Sequence, residues 1–164
     1  MRDAVDKIPG MSWHEARKAK QIRISEPHSE DKPSEVSEVY WIYALRKEGD
    51  YPEPTPRSGK WLIFVPAMKV DEVWAKIKRA TEEGKLGGSS KVATAKPISL
   101  PNQKAKHPEI RVICVYTYDW ADEVDVRRIR EELRRLGITW KIPYKADEDT
   151  IKGRYGKGVS KYYL

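Results

Sequence analysis

The sequence predicts an α+β fold built on a split β-α-β core, and three features predict it. Two short runs, Trp61-Leu62-Ile63-Phe64-Val65 and Val112-Ile113-Cys114-Val115-Tyr116, are apolar throughout, as strands buried on both faces require. Each is followed by a stretch with helical apolar spacing, 71–83 and 122–136. Two weaker strand signals, 91–95 and 138–144, complete the order strand, helix, strand, strand, helix, strand. Right-handed crossovers then put the two apolar runs in the middle of one sheet, with both helices on one face.

Taken in order, residues 1–38 read as a peripheral helix and linker, and 39–164 as a single α+β domain. Ser12-Trp13-His14-Glu15 has the form of a capping box opening a helix to about Lys20, and 26–38 is rich in Ser, Glu, Pro and Lys. Val39 to Leu45 concentrates β-branched and aromatic residues and is expected as a strand inside the sheet, beside 61–65. The three prolines between Gly49 and Gly59 make that segment a loop. Asp71 is read as the N-cap of the first helix, with Val70, Val73, Ile77 and Ala80 as its apolar stripe and Trp74 on its flank. The turn Gly87-Gly88-Ser89-Ser90 leads into a strand from Lys91 to Ala95, and 97–108 is a polar, basic loop.

The second helix, from Asp122 to Leu136, buries Val126, Ile129, Leu133 and Leu136. Its other face carries Arg127, Arg128, Arg130, Glu131, Glu132, Arg134 and Arg135, read as a solvated surface with i,i+4 pairs. Ile138, Trp140, Ile142 and Tyr144 alternate with Thr139, Lys141 and Pro143. That is a half-buried strand, which Pro143 pushes toward a sheet edge.

Composition narrows the function classes. The 164 residues suit one domain, and 39% hydrophobic content with six Trp and nine Tyr argues against global disorder. No apolar run approaches the roughly 20 residues that span a bilayer. The N-terminus lacks the apolar stretch of a secretory signal, so a cytoplasmic setting is expected. The one cysteine, Cys114, excludes an internal disulfide and cannot supply a zinc site with the scattered His14, His28 and His107; neither metal nor cofactor is expected. Nucleophile-elbow, Walker and dinucleotide-binding glycine patterns are absent. A net charge of +7 and a pI near 9.4 favour anionic partners, or simply a basic surface; the interleaved helix charges also suit heat adaptation.

Several stretches together resemble the basophilic-leukaemia-expressed protein family, known from animals and archaea. They are Gly59-Lys60-Trp61-Leu62-Ile63-Phe64, Val70-Asp71-Glu72-Val73-Trp74, Gly84-Lys85-Leu86-Gly87, Val112-Ile113-Cys114-Val115-Tyr116 and Tyr144-Lys145-Ala146-Asp147, within residues 59–155. The resemblance implies a fold like that of translation initiation factor 4E, a curved, mainly antiparallel sheet backed by helices. It brings no established activity, although some archaeal members carry a phosphothreonine-lyase label. The initiation factor stacks a methylated guanine between two loop tryptophans, with a glutamate beside the second. Here the loop 46–59 offers only Tyr51, the loop 97–108 has no aromatic residue, and no Trp-Glu pair occurs. Stacking contributes about 1–3 kcal/mol per base, so cap recognition is not expected.

Three functional readings follow. From Lys141 to Leu164 the chain interleaves six basic residues with Tyr144, Tyr155, Tyr162 and Tyr163, a combination suited to single-stranded nucleic acid or a phosphate pocket. An alternative is a final strand, 159–164, with core tyrosines. The first reading is therefore an RNA- or nucleotide-phosphate-binding module whose ligand crosses the helix-free sheet face, contacted by Lys91, Lys145, Arg154 and Tyr155. The second is a non-catalytic adaptor that receives a partner helix at Trp74. The third is a phosphate-eliminating lyase with His107 as base, near Lys104 and Lys106, and Arg154 as anchor.

Overall fold

The computed structural model describes residues 22–96, 109–151 and 160–164. The expected helix at 12–20, the basic loop at 97–108 with Lys104, Lys106 and His107, and Arg154 and Tyr155 lie outside the described residues.

Seven strands form one mixed sheet: β1 (Ile22–Ile24), β2 (Trp41–Leu45), β3 (Gly59–Pro66), β4 (Ser89–Ala93), β5 (Ile110–Thr117), β6 (Pro143–Ala146) and β7 (Tyr162–Tyr163), in the order β1-β2-β4-β5-β3-β6-β7. Only β1 and β2 run parallel; every other neighbouring pair is antiparallel. Helices α1 (Val70–Glu82), α2 (Glu123–Arg135) and the short α3 (Asp147–Ile151) complete the described architecture, and no described helix is long and apolar enough to cross a membrane.

The two apolar runs lie side by side, paired in register from Gly59 opposite Thr117 to Pro66 opposite Ile110. Their alternation splits the sheet into two surfaces. Trp61, Ile63, Val65, Ile113 and Val115 join Val70, Trp74 and Ile77 of α1 and Val126, Ile129 and Leu133 of α2 in the principal core. Trp61 Nε1 donates to the Val126 carbonyl at 3.1 Å, which satisfies the indole inside that core. The opposite surface holds a second cluster, centred on Ile22, Tyr43, Cys114 and Tyr116 and made wholly of strand residues.

The strand expected beside 61–65 lies elsewhere. β2 pairs with β4, because β5 and β6 already occupy both edges of β3 and leave only the free edge of β4. On β2's other side sits β1, within the stretch read as peripheral. Pro143 is the first residue of β6, where a missing N–H is tolerated, and β6 is interior, between β3 and β7.

Three side chains on the helices depart from the sequence reading. Asp71 does not cap α1, whose N-cap is Lys69; its carboxylate instead accepts from the Ser34 backbone N–H at 3.0 Å and from the Ser34 hydroxyl. Trp74 is fully buried rather than flanking, while Val73 is only partly buried. The buried arc of α1 is wider than its apolar stripe because the segment around Ser29 and Pro33–Glu35 folds along it. Lys78 Nζ there donates to the Ser29 carbonyl at 3.0 Å and to Glu82 at 3.0 Å. On α2, Asp122 does cap the helix, accepting from Asp125 N–H at 3.1 Å. Arg130, read as part of the solvated face, is fully buried.

Candidate functional site

Strand parity assembles the site. Lys60 on β3, Lys91 on β4 and Lys145 on β6 fall on the surface facing away from α1 and α2, with Trp41 and Tyr43 of β2 and Cys114 and Tyr116 of β5. Lys60 stands opposite both Tyr116 and Lys145, and Lys91 opposite both Tyr43 and Cys114. Lys145 and Lys91 therefore share one surface.

The Tyr116 ring lies between two ammonium groups, with Lys60 Nζ 5.7 Å and Lys91 Nζ 5.9 Å from its centroid. Lys91 Nζ is closer still to Trp41, 3.9 Å from the ring centroid, and 5.9 Å from Tyr43. Tyr43 and Tyr116 stack at 6.4 Å with planes 14° apart. Three electron-rich faces thus surround one cation, a cation–π arrangement that strengthens as water is excluded.

The two lysines differ in their counter-charge. Lys60 Nζ is 2.6 Å from Asp147 Oδ1, and the Ser58 hydroxyl donates to the same carboxylate at 2.8 Å. No carboxylate pairs with Lys91 among the described residues. Burial accordingly lowers the Lys91 pKa, with Lys60 adding to the effect and Cys114 and Asp147 opposing it. Lys145 is lowered by desolvation and then by Lys60. Burial raises Cys114 and Tyr116, so the thiol and the phenol remain protonated near neutral pH.

At the Ser89 end of this surface, a cavity of about 20 Å³ is lined by Ser58, Ser89, Tyr116, Thr117 and Asp147. Its volume suits one water rather than a nucleotide. Ser89 Oγ is buried there without a hydrogen-bond partner among the described residues. The preceding turn is fixed by packing: a Cβ on Gly87 would sit 2.1 Å from the Tyr116 carbonyl oxygen, and Arg46 N–H donates to the Gly88 carbonyl at 2.9 Å.

The remaining sequence-level candidates fare differently. Tyr144 is fully buried in the core, edge-on to Trp61 at 5.2 Å and to the half-buried Tyr162 at 5.4 Å, so its face is not presented to a base. The final strand is real, as β7, and Tyr163 is exposed on it. Trp74, inside the core, offers no ring to a partner helix, which corrects the adaptor site. Among the described residues no cluster of His, Cys, Asp and Glu could hold a metal. Tyr51, the one aromatic in the loop after β2, is locked: its hydroxyl donates to Asp125 at 2.6 Å and accepts from Tyr118 N–H at 3.1 Å.

Sequence reasoning missed Lys60, Asp147, Trp41, Tyr43 and Tyr116. The signal was present in the alternation of β3 and β5. Once both are central, Lys60 must share a side with Leu62, and Tyr116 with Cys114.

Comparison with solved structures returns the same architecture. The schistosome eIF4E solved with m7GpppA and 4E-BP is similar at a TM-score of 0.56 and 17% identity, over 84% of this chain and 76% of that one. The schistosome eIF4E solved with m7GpppG and 4E-BP gives the same values. Caenorhabditis elegans eIF4E-3 with Mextli and a cap analog gives 0.49 at 18% identity, this chain spanning 57% of that one and 66% of itself being covered. At such identities the likeness concerns fold alone. Kinship is carried by a family model that matches residues 53–150, a span holding β3 through β6, Lys60, Lys91, Lys145 and Asp147. On that match the chain belongs to the Bles03 family, that of the basophilic leukemia-expressed protein Bles03.

Proposed function

We propose that this protein is an RNA- or nucleotide-phosphate-binding module that does not recognise caps, with its ligand on the helix-free sheet surface. The observation that carries the reading is the Tyr116 ring lying between the Lys60 and Lys91 ammoniums, with Lys145 directly across from Lys60. Cations spaced along strands attract phosphates, while half-buried Trp41 and exposed Phe64 on the same surface give apolar area for bases. Arg154 and Tyr155 extend the proposed contacts from the C-terminal tract.

Fluorescence anisotropy with a labelled single-stranded oligonucleotide tests this. Three phosphate contacts give a log–log salt slope of about −2, or roughly twentyfold weaker binding at 200 mM than at 50 mM salt. Replacing Lys145 with Met should flatten that slope by about 0.7. Affinity indifferent to salt would sink the reading.

A further inference from the structure

The two lysines flanking Tyr116 are not equivalent. Lys60 holds a carboxylate at 2.6 Å, whereas among the described residues no carboxylate pairs with Lys91, which lies among three rings, the nearest centred 3.9 Å away, and opposite Cys114. An amine partly withdrawn from water among aromatic rings, with a second cation across one of them, is in a setting that favours a nucleophilic lysine over a surface charge. Lys91 remains half-buried rather than sealed, and the second cluster around it contains no helix residue among the described residues.

We propose that Lys91 is an imine-forming amine that captures small aldehydes or ketones bearing an anionic group, the anion being held by Lys145. The nitrogen lone pair of the neutral amine attacks the carbonyl carbon, and the carbonyl π pair moves to oxygen. One N–H proton then moves to that oxygen to give a carbinolamine. Loss of the second N–H proton accompanies departure of the hydroxyl as water, leaving C=N. Both amine protons end in the water formed, and no oxidant or reductant is consumed. The titratable groups that face Lys91 among the described residues are Lys60, Cys114, Tyr43, Tyr116 and Asp147; burial lowers Lys91 itself, in the direction the neutral amine needs.

The anion-holding half of this inference rests on the binding surface proposed above, so the test separates the two. The full-length protein is treated near pH 7 with pyridoxal 5′-phosphate, or with pyridoxal, which lacks the phosphate. Cyanoborohydride traps the imines, and peptide mass spectrometry reads the rate at each lysine. The expected result is labelling of Lys91 at least tenfold faster than the median lysine, slowed by inorganic phosphate for the phosphorylated probe only. Preferential labelling of Lys91 by both probes, indifferent to phosphate, would keep the amine and remove the anion site. Labelling of Lys91 no faster than that of exposed Lys69, Lys76 or Lys47 overturns the inference, whatever the oligonucleotide experiment shows. The reading is taken on the wild-type chain, so a variant that fails to fold cannot obscure it.

Discussion

Lys60 on β3 and Asp147 at the start of α3 form a buried ion pair, 2.6 Å apart with both side chains under a tenth exposed. Removing one partner leaves a charge in a poorly solvated place, which typically costs 3–5 kcal/mol, whereas replacing both with apolar residues is often close to neutral. Asp147→Ala should therefore lower stability by about 3 kcal/mol in urea unfolding. Asp147→Leu combined with Lys60→Met should recover most of it. A single variant that costs less than about 1 kcal/mol would show that the pair is solvated in solution.

Arg130 is the clearest instance of a side chain that helical periodicity misplaces. Its guanidinium donates to the carbonyls of Leu164 at 2.9 Å, Ile138 at 2.9 Å and Trp140 at 2.6 Å, tying α2 to the residue that follows β7 and to the segment between α2 and β6. Burial depresses its pKa without removing its charge. A lysine has no planar fork to span three acceptors, so Arg130→Lys should cost roughly 2–3 kcal/mol, read as a lower midpoint in urea. By contrast, Arg134→Lys, on an exposed pair with Glu131, should fall within about 0.5 kcal/mol of wild type.

Why the sequence showed the fold better than the site follows from such residues. WLIFV and VICVY declare their burial locally, because each residue's own polarity reports the environment on both faces. Arg130 looks solvated because Arg127, Arg134 and Arg135 around it are. What buries it is a carbonyl cluster contributed by residues up to 34 positions away, which no local pattern contains. Trp74 is similar, since the segment around Pro33 that widens the buried arc of α1 reads as linker. The site mixes the two cases. Lys91 and Lys145 were legible as basic residues on strands, but pairing Lys60 with Asp147, 87 positions apart, needs the register of β3 against β6.

The sign of the Lys91 shift makes a pH prediction. Its folded pKa lies below its unfolded value, so the unfolded chain binds the proton more tightly. The resulting penalty is complete below the folded pKa and vanishes as pH rises to the ordinary lysine range, about 10.4. Lys91→Met should therefore raise Tm at pH 7, and the gain should shrink toward zero as pH approaches 10. A gain constant across that range would mean that repacking against Trp41, not charge, is responsible.

Gly59 opens β3 where Tyr144 crosses it. A Cβ there would lie 2.4 Å from Tyr144 Oη and 2.6 Å from ring carbons, and Tyr144 is itself hydrogen-bonded to Thr117 at 2.6 Å and packed edge-on against Trp61. The ring cannot withdraw without disturbing the core, so Gly59→Ala should cost about 2–3 kcal/mol. Gly137, whose Cβ would meet nothing within 4 Å but whose φ is +100°, should lose stability from backbone strain alone, at about 1 kcal/mol for Gly137→Ala.

Tyr51 bears on whether any cap can be read. Its ring meets Tyr118 edge-on at 5.5 Å, Arg46 lies 5.2 Å from its face, and its hydroxyl is held at both ends by Asp125 and Tyr118. Burial and the Asp125 carboxylate both push the phenol upward, so it stays a donor across the physiological range. Freeing the ring to stack would break two hydrogen bonds and expose the loop after β2, against a stacking gain of about 1–3 kcal/mol. Isothermal titration of m7GpppG should therefore show no binding beyond that of an unmethylated GpppG control, since any residual affinity comes from phosphate contacts alone. Tyr51→Phe, which keeps the ring and removes the hydroxyl, should lower stability by about 1–2 kcal/mol and leave both titrations unchanged. A methyl-dependent affinity that Tyr51→Phe alters would mean that this loop opens and that the ring does serve as a platform.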